Sequence, residues 1–421
     1  MKTFSIYTLG CKVNVFESEF YRQSMIDAGF SEVLPKEPSD IVIINTCTVT
    51  NSASFKSRQR IHQAKRLNPY AFVVVVGCYV QIDHAKLKEK YDIDLLVGAN
   101  HKKELVSLIQ NKLKQEDYQY PSGFESMKLN AFSHQKRAYV KIQDGCNQFC
   151  TYCIIPFARG RERSLPFDEV IEQVKQFKDH HEIVLTGIHT GRYGFDIGHK
   201  LSELIIAILK ETKVERIRIS SIEITEIDDE LIHLLKTEKR CAKHLHIPLQ
   251  SAHNDLLKQM NRPYSLEEFK ERCDFIKKEI PEMHISTDFI VGFPGESEEI
   301  FKQELNNLKE LNLGFMHVFP FSERENTKAI NLPNKVHGAI KKDRVNQLTL
   351  LSESFQDKHL SSLINQDVEV LFESFENDYL FGYTTNYEPC VCKGDKDLIN
   401  KLVMCTVKSA QNQRLVAELK S

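Results

Sequence analysis

Residues 138–156 read AYVKIQDGCNQFCTYCIIP. The stretch opens as a β-prone run, Ala138–Gln143, and passes directly into Cys146, Cys150 and Cys153 at CxxxCxxC spacing. Five further strand-length runs follow, near Ile183–Thr186, Arg216–Ser220, His244–Ile247, Ile285–Val291 and Phe315–Phe319. Helical patterns alternate with them near Phe167–Asp179, Leu201–Lys210, Glu226–Lys236, Leu266–Lys278, Glu298–Leu311 and Ile340–Leu360. Strands alternating with amphipathic helices predict parallel pairing through helical crossovers. A closed barrel needs about eight such units, so residues 138–362 predict a partial (β/α)6 barrel. The three cysteines then lie in the loop at the C-terminal end of its first strand, the end at which α/β barrels carry their chemistry.

The same alternation extends towards the N-terminus. Thr3–Thr8, Ile41–Thr46, Phe72–Gly77 and Leu95–Val97 are apolar strand candidates. Helices are expected near Asn14–Ala28, Ser52–Leu67, His84–Lys90 and His101–Leu113, giving a parallel-sheet domain over residues 1–115. Residues 116–137 are polar and contain Pro121 and Gly123, the composition of a linker. Beyond the barrel, residues 363–421 hold short strands near Val368–Phe372, Leu380–Thr385, Cys390–Cys392, Leu402–Val407 and Arg414–Leu419. That pattern predicts a small antiparallel β-barrel. The fold class is therefore α/β with an all-β C-terminal unit.

Composition narrows the function. At 421 residues, with 41% hydrophobic and 27% charged side chains, the chain has the balance of a soluble globular protein. No apolar run approaches the roughly 20 residues of a membrane span, and no export signal stands at the N-terminus. Eleven cysteines, an odd number, then predict a reducing, cytoplasmic setting with thiols kept for metal or redox work. A net charge of -2 excludes a nucleic-acid polycation, although basic side chains cluster. Lys56, Arg58, Arg60, Lys65 and Arg66 form one group; Lys136, Arg137 and Lys141, then Arg159, Arg161 and Arg163, bracket the cysteine run. Such groups either hold phosphates or cover solvated helix faces. The last 61 residues carry 6 basic against 9 acidic side chains.

Three close thiolates suit a soft metal. No fourth Cys or His adjoins them to complete a structural zinc site. Three cysteines can instead hold a [4Fe–4S] cluster with one iron open for a substrate. Cys11, Cys47 and Cys78 are distant in sequence, yet each follows a predicted strand, in TLGC, INTC and VVGC. Parallel strands end on one edge, where open α/β sheets bind ligands, so these thiols converge on one crevice and a second three-cysteine cluster is expected. Cys241, Cys273, Cys390, Cys392 and Cys405 have no such placement and read as buried small apolar residues.

The residues quoted resemble the radical SAM methylthiotransferases along nearly the whole chain. The resemblance is carried by CxxxCxxC with Tyr152 before the last Cys, by the continuation IIPFARGRERS, and by the three scattered cysteines. Further matches are LTGIHTGRYG, RISSIEI, HIPLQSAHNDLLKQMNRPY, STDFIVGFPGE and FPFSERENTKA. Within the family, TLGCKVNVFESE resembles the group acting on threonylcarbamoyladenosine in tRNA, whereas GCQMN marks the isopentenyladenosine group and GCPKN the ribosomal-protein group. Val15, Ala252 and Asn326 depart from the usual residues.

The resemblance implies two [4Fe–4S] clusters, one on Cys146, Cys150 and Cys153 and one on Cys11, Cys47 and Cys78. It implies S-adenosylmethionine (SAM) held by Gly187, Ser221, Glu223, Gln250 and Arg262, and a C-terminal RNA-binding TRAM barrel. The implied reaction cleaves SAM with an electron from a flavodoxin-like or other low-potential donor, abstracts the C2 hydrogen of adenosine 37 in a tRNA anticodon stem-loop, and inserts a methylthio group. Arg192, Arg324 and Lys328 are candidate donors to the substrate carboxylate, while His189 and His246 read as hydrogen-bonding residues. The rival readings are a methylthiotransferase acting on isopentenyladenosine or on a ribosomal-protein aspartate, and a zinc-bearing RNA-binding protein without catalysis.

Overall fold

Thr3–Thr8, Ile41–Thr46 and Phe72–Gly77 are apolar on both faces because helices cover both faces. Their alternate residues enter two cores, with Phe4, Ile43 and Val74 on one side and Tyr7, Ile44 and Val75 on the other. The computed structural model describes residues 2–112, 117–133 and 135–420. Leu113, at the end of an expected helix, and Glu116 and His134, in the expected linker, lie outside them. The N-terminal sheet is parallel, in the order Ser31–Glu32, Thr3–Thr8, Ile41–Thr46, Phe72–Gly77, Leu95–Val97. Its helices are Lys12–Asp27, Asn51–Leu67, Cys78–Lys90 and Leu105–Gln110. The Ser31–Glu32 edge strand is too short to leave a pattern.

The central strands are Arg137–Lys141, Glu182–Thr186, Arg216–Ile219, His244–His246, His284–Val291 and Phe315–Pro320. They form two three-stranded parallel sheets. Bridges Ile217↔Cys241 and Ser221↔His246 join these into one open barrel in chain order. The first strand breaks at Ile142; Gln143–Asp144 then pairs antiparallel with Arg163–Ser164, so the cysteine run is held in the loop of a hairpin. Helices Ile155–Arg159 and Asn254–Gln259 are too short to show a period in sequence. The expected linker is no free tether. Met127, Leu129 and Phe132 enter the barrel core, and Gln173 exchanges two hydrogen bonds with the Leu129 backbone. No described helix is long and apolar enough to cross a membrane.

The C-terminal strands Asp367–Glu376, Tyr379–Thr384, Pro389–Lys393, Leu402–Gln411 and Arg414–Leu419 close into a barrel. Every pair is antiparallel except the seam between Pro389–Lys393 and Arg414–Leu419. This barrel sits on the N-terminal ends of the central strands. Arg216 bridges buried Glu182 at 3.1 Å and Glu369 at 2.7 Å, while Arg218 binds Glu182 at 2.6 Å and donates to the carbonyls of Thr384 and Thr385. Arg137 pairs with Glu373 at 2.6 Å and lies over the stacked rings of Tyr383 and Tyr387. These tyrosines are therefore engaged with arginines at the interface. The expectation of surface basic clusters around the cysteine run needs correcting: Arg137, Lys141, Arg159 and Arg163 are buried. Arg137, Lys141 and Arg159 are consumed by carboxylates, and Arg163 donates to the Arg159 and Arg161 carbonyls with Asp144 3.9 Å away, because a charge that deep must be paired.

Candidate active site

Two glycines set the cysteine loops. Gly145 (φ +75°) precedes Cys146, and a Cβ there would lie 1.9 Å from the Arg161 carbonyl oxygen. Gly10 (φ +101°) precedes Cys11, and a Cβ there would lie 2.7 Å from Cys47 Cβ. Only glycine allows both the backbone conformation and the approach.

Cys146, Cys150 and Cys153 line a cavity of about 370 Å³ at the mouth of the barrel. Around it stand Ser221, Glu223, Gln250 and Arg262 from the strand ends. Gly187 lies beside the cavity wall, packed on Gln143. Arg262 reaches Cys150 Sγ at 3.4 Å, donates to the Pro248 carbonyl at 3.1 Å and pairs with Glu223. The Gln148 N–H donates to Cys146 Sγ at 3.4 Å, and His189 Nδ1 lies 3.4 Å from the same sulfur. Burial pulls against charge on His189, but Cys146 and Glu226, the latter at 2.6 Å, hold its pKa up to about 10. Burial, with Cys150 beside it, pushes the Cys153 thiol up to about 12. Three thiols ringed by a guanidinium and N–H donors suit an anionic thiolate-bound centre, whose metal would displace their protons.

Cys11, Cys47 and Cys78 come together at the sheet edge. Cys47 feels both partners, and burial, with Cys78 beside it, pushes its thiol up to about 12. Ser57 Oγ accepts from the Cys47 N–H and donates to its carbonyl, fixing the loop. Val49 and Thr50, just beyond Cys47, form part of the wall of the barrel-mouth cavity. That wall is tied to the barrel by Asn51 N to Ser322 Oγ at 2.8 Å and by Arg324, which donates to Thr48 and Asn51.

Between the two cysteine groups lies a buried charge cluster. Glu17 accepts from Arg159 at 3.0 Å, Lys141 at 3.0 Å and Lys102 at 3.1 Å. Asp144 takes Lys141 at 2.7 Å and Arg159 at 3.1 Å. Arg159 also donates to Asn14 at 2.6 Å and faces Cys11 and Cys78. Asn14 and Glu17 belong to GCKVNVFESE and Arg159 to IIPFARG, so two separate motifs meet here. Sequence reasoning read Lys141 and Arg159 as basic-cluster residues and gave Asn14, Glu17 and Asp144 no such pairing.

The Radical SAM superfamily profile matches residues 140–308, and that of uncharacterized protein family UPF0004 matches residues 3–98. The threonylcarbamoyladenosine tRNA methylthiotransferase MtaB of Bacillus subtilis (strain 168) is 40% identical, over 97% of this chain and 94% of its own. The chain belongs to the radical SAM methylthiotransferase family. Another relative of this methylthiotransferase, a tRNA-2-methylthio-N(6)-dimethylallyladenosine synthase of Thermoanaerobacter sp. (strain X514), is 32% identical over 99% of this chain and 92% of its own. Among solved structures, the radical S-adenosylmethionine methyltransferase TsrM from Kitasatospora setae shares the fold at a TM-score of 0.55 and 14% identity, covering 76% of this chain and 74% of that one.

Of the donors expected for a substrate carboxylate, the methylthiotransferase has two already engaged. Arg192 binds Glu162 at 2.9 Å and covers Phe195, and Arg324 holds the Thr48–Asn51 loop. Lys328 is exposed on the short helix Lys328–Asn331 and does not line the cavity. Lys12 does not line the cavity either; its side chain shares its surroundings with Tyr387, Arg137, Arg218 and Glu182. The one carboxylate among its strongest neighbours, Glu182, is already held by Arg216 and Arg218.

Proposed function

We propose that this enzyme methylthiolates C2 of N6-threonylcarbamoyladenosine at position 37, beside the tRNA anticodon, in the cytoplasm. The observation that carries the reading is the single cavity bounded by Cys146, Cys150 and Cys153 on one side and by the loop following Cys47 on the other. One nucleoside in this pocket would meet the first cysteine group directly and lie against the loop that follows Cys47. In this reading Cys146, Cys150 and Cys153 hold one [4Fe–4S] cluster and Cys11, Cys47 and Cys78 the other. When bound, the clusters and SAM supply the 5′-deoxyadenosyl radical, the sulfur and the methyl group of the reaction, with a low-potential electron donor such as a flavodoxin.

The chain's own residues bind and orient. Arg262 neutralises charge at Cys150 and fixes Glu223, while Ser221, Glu223 and Gln250 present polar groups for the ribose and amino acid of SAM. Ile188, Ile290, Phe319 and Phe321 give the cavity the apolar walls that receive a splayed base and exclude water. We further propose that the chain divides as residues 1–115, 138–362 and 363–421. The test offers threonylcarbamoyladenosine and isopentenyladenosine anticodon stem-loops to enzyme reconstituted with iron and sulfide. Methylthio product is then read by mass spectrometry. Preference for the first is expected; faster reaction of the second overturns the substrate assignment.

A further inference from the structure

Away from the cavity, at the base of the central barrel, three ligating side chains from distant parts of the chain converge. His284 opens the strand His284–Val291, His359 lies in the last turn of the helix Gly338–Ser362, and Glu388 precedes the strand Pro389–Lys393 of the C-terminal barrel. His284 Nδ1 stands 3.1 Å from Glu388 Oε1, and His359 Nε2 stands 3.4 Å from the same oxygen. One donor atom from each residue lies within 4.8 Å of the others. The imidazoles stack with centroids 4.5 Å apart and planes 8° from parallel.

The burial of this group is what calls for a ligand. The Glu388 side chain is 1% exposed and that of His284 5%. Glu388 Oε1 and His359 Nε2 are buried and lack a hydrogen bond. The other groups facing the cluster are Gln356 on the same helix as His359, the Asn386 carbonyl, Gly314 and Lys277, and no ion pair joins Lys277 to Glu388 among the described residues. A carboxylate buried without a cation is costly. Two imidazole nitrogens within 3.1 and 3.4 Å of it are the donor types of a metal ligand set, and one of the stacked rings must turn for both to face one ion.

We propose that His284, His359 and Glu388 bind a divalent metal, Zn²⁺ by donor type, that fastens the C-terminal barrel to the central one. Two nitrogens and one carboxylate oxygen are a borderline-soft set favouring zinc over magnesium or calcium. Tetrahedral zinc with bonds of ~2.0–2.2 Å sets its donors about 3.3–3.5 Å apart, close to the two shorter separations seen. His284 Nδ1 donates to the Asn386 carbonyl at 3.0 Å, and a bound metal would displace that proton. Access is provided by a surface cavity of about 610 Å³ that His359 and Asn386 help to line. Bound there, the metal would pin the turn Thr384–Glu388, whose carbonyls Arg218 already holds.

The test uses the full chain with both clusters reconstituted, cleared of loose metal on a chelating resin and titrated anaerobically with ZnCl₂. One zinc per chain in addition to the cluster iron is expected, with a rise in melting temperature. In His359→Ala and Glu388→Gln, affinity should fall by on the order of 100-fold with iron content unchanged. X-ray absorption on the wild-type protein covers the case in which a variant fails to fold. A zinc shell of nitrogen and oxygen upholds the site. A sulfur shell at ~2.3 Å, or zinc uptake equal in wild type and variants, overturns it.

Discussion

Replacing Glu17 by Gln should uncouple the two cysteine groups without dismantling either. Glu17 and Asp144 face Lys102, Lys141 and Arg159 in a fully buried cluster, and Glu17 alone accepts from all three cations. The substitution leaves three buried cations to one carboxylate. Burial raises the pKa of nearby Glu125, favouring its neutral form, so it is a poor replacement. Breaking a buried pair by removing one partner costs about 3–5 kcal/mol, on the order of 100-fold or more in a local equilibrium. Because Glu17 lies on the first helix of the N-terminal unit while Lys141, Asp144 and Arg159 belong to the central one, the strain falls on their junction. The variant should cleave SAM to 5′-deoxyadenosine at close to the wild-type rate, lose most methylthio product, and unfold at lower urea in anaerobic titration. Adding Lys102→Met removes one unpaired cation and should restore at least half of the lost stability. A Glu17→Gln enzyme with unchanged urea midpoint and product would refute the reasoning, as would a double variant less stable than the single one.

Replacing Cys146, Cys150 and Cys153 with Ala should remove about half of the iron and abolish SAM cleavage. The same change at Cys11, Cys47 and Cys78 should halve the iron but spare cleavage; full iron after either triple change argues against two clusters. Despite burial, Arg218 and Arg216 hold Glu182 down to about 2 from its ordinary 4.5. A depressed carboxylate stabilises above its unfolded pKa and loses that contribution as pH falls through the folded one. About 3 kcal/mol should therefore disappear between pH 4.5 and 2, seen as a narrowing gap in urea midpoint between wild type and Glu182→Gln. Changing Arg58, Arg60 and Arg66 to Gln should lower the slope of log affinity for tRNA against log salt by about 2–3, measured by filter binding. An unchanged slope would place the RNA contact elsewhere.

The N-terminal strands were readable because burial on both faces writes them as largely apolar runs, as in residues 41–44 and 72–76. Convergence of the cysteines followed from topology: parallel strands end on one edge, so Cys11 and Cys47 needed no sequence proximity. Unreadable were features that depend on what meets across elements. Arg137, Lys141 and Arg163 carry the same letters as solvated phosphate binders, and only Glu373, Glu17 and Asp144 opposite them reveal a structural task. Arg192 and Arg324 were sensible donors by position, but Glu162 and Thr48 had claimed them. The short helix Ile155–Arg159 is less than two turns and carries no period to detect.

The strap at residues 117–133 bears on how modular this protein is. A designer exchanging the N-terminal unit for that of a relative would naturally cut in this polar stretch. Yet Met127, Leu129 and Phe132 belong to the core of the barrel that follows, while Asn130 and Ser133 bond back to Gln23 and Glu19 on the first helix. Wherever the cut falls, one parent loses side chains that the other supplies. A working chimera must take the strap with the barrel and match Gln23 and Glu19 on the incoming helix, so the transferable part is a unit plus the surface that receives it.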